Sequence, residues 1–217
     1  SDLQDREALS AGPKACLGNS RHAATTGLPT VFRLSKGSGL TKQRKDFRQS
    51  MNSFLERLSA KSLHVGVFGL GYVGIPLAQR ICSVGFRVTG FDIVDERVAG
   101  LNAGTSPIKH IADADIQAMC VSGFEATTDF SRAADCDVLI ICVPTPLNEF
   151  REPDLSFVES TMHQISPHLR AGQLLSLEST TWPGTTEEIL LPFAQRAGLE
   201  VGKDFYLVYS PEREDPG

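Results

Sequence analysis

The run His64-Val65-Gly66-Val67-Phe68-Gly69-Leu70-Gly71-Tyr72-Val73-Gly74 sets G-x-G-x-x-G between an apolar stretch and a helical pattern. That spacing suits a ligand carrying phosphates. Gly69 permits a tight turn, Gly71 lets the backbone approach a pyrophosphate, and Gly74 lets a helix pack close on a sheet. The helix starting there offers free N–H groups and a partial positive charge to the phosphates. Asp92 follows 23 residues after Gly69, at the end of a second apolar run, near the ~20 expected of a ribose-binding acid. A carboxylate there accepts hydrogen bonds from both hydroxyls of an adenosine ribose and repels a 2′-phosphate, so NAD is expected over NADP. Arg97 keeps NADP open. The bland alternative is a sheet of the same class that binds nothing, with Asp92 as a helix N-cap.

Such residues act only if strands and helices carry them to one edge. The chain from residue 63 onward alternates between the two. Strands are expected at Leu63–Phe68, Arg87–Phe91, Glu125–Thr127, Val138–Val143, Leu174–Leu177 and Phe205–Tyr209. Helical patterns cover Tyr72–Val84, 94–103, 113–122, 154–169 (Asp154 as N-cap) and Thr185–Ala197. Val-Leu-Ile-Ile-Cys-Val at 138–143 is apolar throughout, as a strand covered on both faces should be. Strands alternating with helices imply right-handed crossovers and a parallel sheet, so the fold class expected is α/β, a doubly wound Rossmann-like sheet. Ligands in such sheets bind outside the carboxyl ends of the strands. The segments there are Gly69–Gly74, Asp92, Pro144-Thr145-Pro146-Leu147, Glu178-Ser179-Thr180-Thr181-Trp182-Pro183-Gly184 and the stretch from Ser210 to Gly217.

Composition excludes other classes. The 217 residues carry a net charge of −5 and are 41% hydrophobic and 22% charged, an ordinary globular balance. No apolar run approaches the ~18–20 residues of a membrane span, and the acidic balance speaks against nucleic acid as partner. Cys16, Cys82, Cys120, Cys136 and Cys142 contain no C-x-x-C pair, so neither a metal site nor a disulfide framework is expected. Scattered cysteines and no visible secretory signal fit a cytoplasmic protein.

The charge is uneven: residues 1–60 have a net of +5 and residues 61–217 a net of −10. Residues 10–40 lack any helical or strand period and read as a disordered N-terminal arm, followed by the basic run Lys42–Lys45. Three readings compete for the arm: upstream sequence translated in frame before a native start at Met51, a disordered tail, or a functional anion-binding arm. Residues 52–60 read as a short amphipathic helix with Phe54, Leu55 and Leu58 on one face. The division expected is 1–60 as a disordered or non-native extension and 61–217 as the cofactor domain.

Four motifs occur in order: Gly-Leu-Gly-Tyr-Val-Gly, Cys-Val-Pro-Thr-Pro, Glu-Ser-Thr-Thr-Trp-Pro-Gly-Thr-Thr and Ser-Pro-Glu-Arg-Glu-Asp-Pro-Gly. Over about residues 63–217 the chain resembles the N-terminal domain of the UDP-glucose/GDP-mannose dehydrogenase family, and the last two motifs most resemble the UDP-N-acetylglucosamine branch. The resemblance implies oxidation of a sugar C6 alcohol to a carboxylate by two NAD molecules, through a cysteine thiohemiacetal and thioester, for surface polysaccharide synthesis. It implies a UDP-sugar substrate and a homo-oligomer (dimer); composition, as above, speaks against a nucleic-acid or membrane partner. Residue by residue, it implies cofactor contacts at Gly69, Gly71, Tyr72, Val73, Gly74, Asp92, Arg97 and Thr145. Thr181 matches a threonine near NAD and the catalytic water. Glu212 matches a glutamate of the acid/base and water steps, and Arg213 and Glu214 a substrate-contacting pair. Thr181 as a mere helix cap, Glu212 as a solvated acid and Arg213 as a surface ion pair stay open. Cys142 reads as core, and Trp182 as core or an interface residue.

The family's nucleophilic cysteine sits in a Gly-x-Cys-type motif downstream, and none of the five cysteines matches it. The chain therefore reads as the cofactor half of such an enzyme without its nucleophile, inactive alone. The competing functions are another NAD-linked dehydrogenase of β-hydroxyacid type and a non-enzymatic NAD-binding module.

Overall fold

The computed structural model describes residues 49–211 apart from 50, 148 and 150. Six strands form one sheet: β1 (His64–Phe68), β2 (Arg87–Phe91), β3 (Phe124–Thr127), β4 (Val138–Ile141), β5 (Leu174–Leu177) and β6 (Tyr206–Tyr209), in the order β3-β2-β1-β4-β5-β6. Every neighbouring pair is parallel. The order reverses direction between β1 and β4, and a crevice opens at that switch point.

Alternation along the strands builds two cores. Val65, Val67 and Val88 face one side, where Ile75, Ala78, Ile116 and Met119 of α2 (Gly74–Ser83) and α4 (Asp113–Val121) cover them. Phe68, Leu139, Ile141, Leu175 and Leu177 face the other, under Val158, Met162 and Phe193 of α5 (Ser156–Ile165) and α6 (Leu191–Arg196). Leu101 of α3 (Asp95–Asn102) joins the first core.

The helix expected at 52–60 is present as α1, residues 51–59. Its apolar residues do not all face inward. Phe54 packs on the first core, its ring 6.1 Å from that of Tyr206, while Leu55 and Leu58 are 48% and 41% exposed. A polar contact holds the helix as well. Arg57 Nη1 donates to Asp137 Oδ1 at 3.0 Å, and Asp137 also accepts from Arg170 Nη2 at 3.0 Å and the His64 amide at 3.0 Å.

Several ends shift by one or two residues from the sequence expectation, and three of the differences have a physical cause in the structure. β4 stops at Ile141, two residues early, because β1 and β5 end beside it at Phe68 and Leu177. The helix expected over 154–169 starts at Ser156 with Leu155 rather than Asp154 at the N-cap position, Asp154 Oδ1 accepting from the Ser156 amide at 2.9 Å. It is α-helical to Ile165 and continues as a 3₁₀ turn through His168, since Pro167 has no N–H to continue it. The helix expected over Thr185–Ala197 opens with π-helical Thr186–Leu190 before α6. Pro192 leaves a carbonyl of that turn without its ordinary partner, and the wider register absorbs the loss. A 3₁₀ segment at Phe130–Asp135, capped by Asp129 accepting from the Ser131 amide at 3.0 Å, had no periodic signal to reveal it. The arm expected to be disordered and the basic run lie outside the described residues.

Candidate functional site: the carboxyl edge of the sheet

The six strands end on one line. Thr127, Phe91, Phe68, Ile141, Leu177 and Tyr209 stand opposite one another across the sheet. The next residues continue the ladder: the amides of Asp92, Gly69, Cys142, Glu178 and Ser210 donate to the carbonyls of Thr127, Phe91, Phe68, Ile141 and Leu177. The motif-bearing segments therefore leave the sheet side by side.

A cleft of about 590 Å³ runs along this edge, lined by Gly71, Tyr72, Asp92, Arg97, Thr145 and Glu178 among others. Gly69 holds φ +95°, and a Cβ there would stand 2.9 Å from the Cys142 carbonyl oxygen. A Cβ on Gly74 would lie 1.8 Å from the Gly69 carbonyl oxygen, so the turn closes on the helix only with glycine. A Cβ on Gly71 meets nothing within 4 Å. Its place is the open cleft, which is the cradle a pyrophosphate needs.

Asp92 is 5% exposed and already well coordinated. Its Oδ2 accepts from the Leu70 amide at 2.9 Å and from Arg97 Nη1 at 2.9 Å, and Oδ1 accepts from the Val94 amide at 3.0 Å. One carboxylate thus ties the glycine turn to the loop after β2. Arg97 is bound to Asp92 through Nη1, so its charge is shared with the acid, which weakens the case for NADP.

Beside Asp92 an apolar slot of about 160 Å³ opens between the strand ends and α5. Phe68 and Phe91 stack in its floor, ring centres 4.3 Å apart and planes 9° apart, with Phe130 against both. Ile93 and Phe157, 68% and 42% exposed, flank its mouth, with Gln164 as a polar group in its wall. A flat heteroaromatic base attached to a ribose at Asp92 fits there. Sequence reading missed these residues, because Ile93 and Phe157 belong to segments far apart in the chain.

Of the residues expected at the site, Gly69, Gly71, Tyr72, Val73, Asp92, Arg97 and Thr145 line the cleft, and Gly74 shapes it from behind. Tyr72 is 59% exposed and stacks on His110, centroid distance 6.0 Å. Thr181 is not among the lining residues, though Glu178, Ser179 and Thr180 are. Its hydroxyl is buried and has no hydrogen-bond partner, alone in this among the described side chains. It caps no helix, and an orphaned buried hydroxyl beside the cleft wants a ligand or a water. Cys142 lines the cleft rather than belonging wholly to the core, because β4 ends one residue before it. Trp182 is 38% exposed. Glu212, Arg213 and Glu214 lie outside the described residues.

The geometry fits a dinucleotide, and comparison with known proteins names the family. Residues 63–217 match the UDP-glucose/GDP-mannose dehydrogenase family, NAD binding domain. The chain belongs to that family. A UDP-N-acetyl-D-glucosamine 6-dehydrogenase of Pseudomonas aeruginosa is 37% identical over 158 residues, 72% of this chain and 37% of the relative. The structure of UDP-D-ManNAc dehydrogenase from Pyrococcus horikoshii superposes with a TM-score of 0.66 at 34% identity, covering 71% of this chain and 37% of that one. A ternary complex of GDP-mannose dehydrogenase from Pseudomonas aeruginosa gives 0.64 at 31% identity, covering 69% and 36%. The chain thus spans a little over a third of the length of these relatives and carries the NAD-binding domain of nucleotide-sugar dehydrogenases. Among the described residues, no helix is long and apolar enough to cross a membrane, and no cluster of His, Cys, Asp or Glu could hold a metal ion.

Burial, not activation, governs the enclosed cysteines. It pushes the Cys82 thiol up to about 11 and that of Cys136 up to about 12, and it also raises Cys120. A nucleophilic thiol needs the opposite shift.

Proposed function

We propose that this chain is the cofactor-binding part of a UDP-N-acetylglucosamine-type 6-dehydrogenase, which oxidises the sugar C6 alcohol to a carboxylate. One observation carries the reading: the glycine turn, Asp92, the Val-Pro-Thr-Pro turn and the Glu-Ser-Thr-Thr segment, distant in sequence, stand on one line at the switch point, around a cleft shaped for a dinucleotide. The bound NAD would supply a hydride acceptor. The chain's own residues do the holding. Asp92 takes the adenosine ribose, and the aromatic-floored slot takes the adenine. The turn Gly69–Gly74 takes the pyrophosphate with the N-terminus of α2 behind it, and Tyr72 closes over the turn. Thr145 and the orphaned Thr181 hydroxyl serve the other half of the cofactor, with Thr181 placing a water. Glu212 is the proposed acid/base group, and Arg213 with Glu214 the substrate contacts. The thiol nucleophile comes from none of the buried cysteines described above. The sugar assignment is supported by the Glu-Ser-Thr-Thr and Ser-Pro-Glu-Arg motifs and by the Pseudomonas relative. The closely similar mannosamine enzymes make UDP-N-acetylmannosamine the second candidate.

The test is titration of the chain with NAD+ and NADP+, followed by an assay for NADH with UDP-N-acetylglucosamine and UDP-N-acetylmannosamine. NAD+ binding without NADH production is the expected result. No NAD+ binding overturns the cofactor reading, and NADH production overturns the claim that the nucleophile lies elsewhere.

A further inference from the structure

Glu178 stands on the cleft edge. It is half-buried in the cleft wall and follows β5 directly. Among the described residues no Lys, Arg or His forms an ion pair with it. Its one described side-chain partner is Ser176, whose Oγ donates to Oε1 at 2.6 Å. Ser176 is itself unusual: it is 6% exposed and the one polar residue of the strand Leu-Leu-Ser-Leu. Residues two apart on a strand share a face, so Ser176 reaches up the strand to the carboxylate above it. A buried strand hydroxyl is thereby spent on aiming one acid at the cleft.

The order along the edge says what meets that acid. Asp92, Gly69, Cys142 and Glu178 follow β2, β1, β4 and β5 in spatial sequence. Three strand spacings of ~4.8 Å put the two acids roughly 14 Å apart at the backbone, with the glycine turn between them. An NAD whose first ribose is on Asp92 and whose pyrophosphate is on Gly71 must extend its second ribose and nicotinamide toward β4 and β5. Asp92, the turn and Glu178 then correspond to ribose, pyrophosphate and ribose.

We propose that Glu178, positioned by Ser176, is a cofactor contact at the nicotinamide end, accepting hydrogen bonds from the second ribose and favouring the cationic oxidised ring over the neutral reduced one. The proposal rests on the cleft holding NAD with its adenosine at Asp92. The test is calorimetric titration of the full chain, as wild type, Glu178→Ala, Glu178→Gln and Ser176→Ala, with ADP, NAD+ and NADH. Glu178→Ala should weaken NAD+ by about tenfold or more while ADP changes by no more than about twofold. Glu178→Gln keeps an acceptor and loses the charge, so it should weaken NAD+ more than NADH. Ser176→Ala leaves the carboxylate present but unaimed, and should weaken NAD+ less than Glu178→Ala does. Unchanged NAD+ affinity in Glu178→Ala overturns the proposal, and so does an equal loss for ADP and NAD+. If Glu178→Ala melts early, the NAD+/NADH ratio of the isosteric Glu178→Gln decides. A wild-type chain that binds neither ADP nor NAD+ instead overturns the reading of the cleft, a separate and visible failure.

Discussion

Two alanines in the same turn should fail in opposite ways. At Gly71 an added Cβ meets nothing within 4 Å, the backbone is not in the left-handed region, and the carbonyl is already engaged by the Ile75 amide at 3.1 Å. Gly71→Ala should therefore fold as the wild type does, or gain about 0.4–1 kcal/mol from a stiffer unfolded chain. Its new methyl points into the cleft where the pyrophosphate must come down on the turn. Losing one hydrogen bond to a charged oxygen costs about 1.5–3 kcal/mol, so NAD+ affinity should fall by roughly 10- to 150-fold. At Gly74 the added Cβ would sit 1.8 Å from the Gly69 carbonyl oxygen, backbone against backbone. The turn must open by about an ångström, and overpacking of that kind costs about 3 kcal/mol, the upper part of its usual range. For a domain of this size that lowers Tm by about 6–12 °C. Thermal melts and NAD+ titrations of both variants check the pair. A Gly71→Ala chain that melts early, or that binds NAD+ within about twofold of wild type, would refute the assignment of the open space at Gly71 to the pyrophosphate.

Asp92→Asn should weaken NAD+ by about tenfold and narrow the preference over NADP+. The charge that repels a 2′-phosphate is gone and Arg97 is released, so adding Arg97→Ala should restore the discrimination, read by titrating both cofactors. Asp137→Ala removes a buried acceptor of Arg57, Arg170 and the His64 amide. With both arginines partly exposed the loss should be about 3 kcal/mol, the low end for a broken buried pair, and urea unfolding measures it. Acid should unfold the domain in two stages. Burial, with Arg87 nearby, lowers the His64 pKa below 6.5, so the unfolded chain takes that proton first and stability begins to fall below about pH 6.5. For Asp137, hydrogen bonds from Arg57, the His64 amide and Arg170 outweigh the opposing effect of burial, and its carboxyl lies below its ordinary value. Arg132 chiefly, with Arg87, holds Glu125 at about 2. Their contributions are complete above about pH 5 and are lost progressively as pH falls toward 2. His64→Gln should flatten the first stage and leave the second, as followed by denaturant titrations across pH.

Much of the architecture is legible in one dimension because its causes are local. The glycine spacing, the acid after β2 and the all-apolar β4 each state a backbone requirement or a two-sided burial, and a reader of residues recovers turn, sheet and cofactor class from them. Boundaries were less legible. Whether Cys142 is strand or cleft wall depends on where β1 and β5 stop, and neither is its neighbour in sequence. The π-helical turn before α6 follows from Pro192 only once the helix is known to be there. Phe54 was readable as an apolar helix residue, but its seat on Tyr206 and the grip of Arg57 on Asp137 join residues far apart in the chain.

The residue types at 69–74 and 92, and their spacing, pointed by themselves to a dinucleotide-binding turn, because a tight turn without side chains and one acid beyond it are conditions that short segments set alone. Only the tertiary structure decided what surrounds them. The aromatic floor of the slot beside Asp92, the contact of Arg97 with Asp92, the orphaned Thr181 hydroxyl and the hydrogen bond from Ser176 to Glu178 arise where separate loops meet at one sheet edge. Strand order and register set which loops those are, and they depend on the packing of both faces at once.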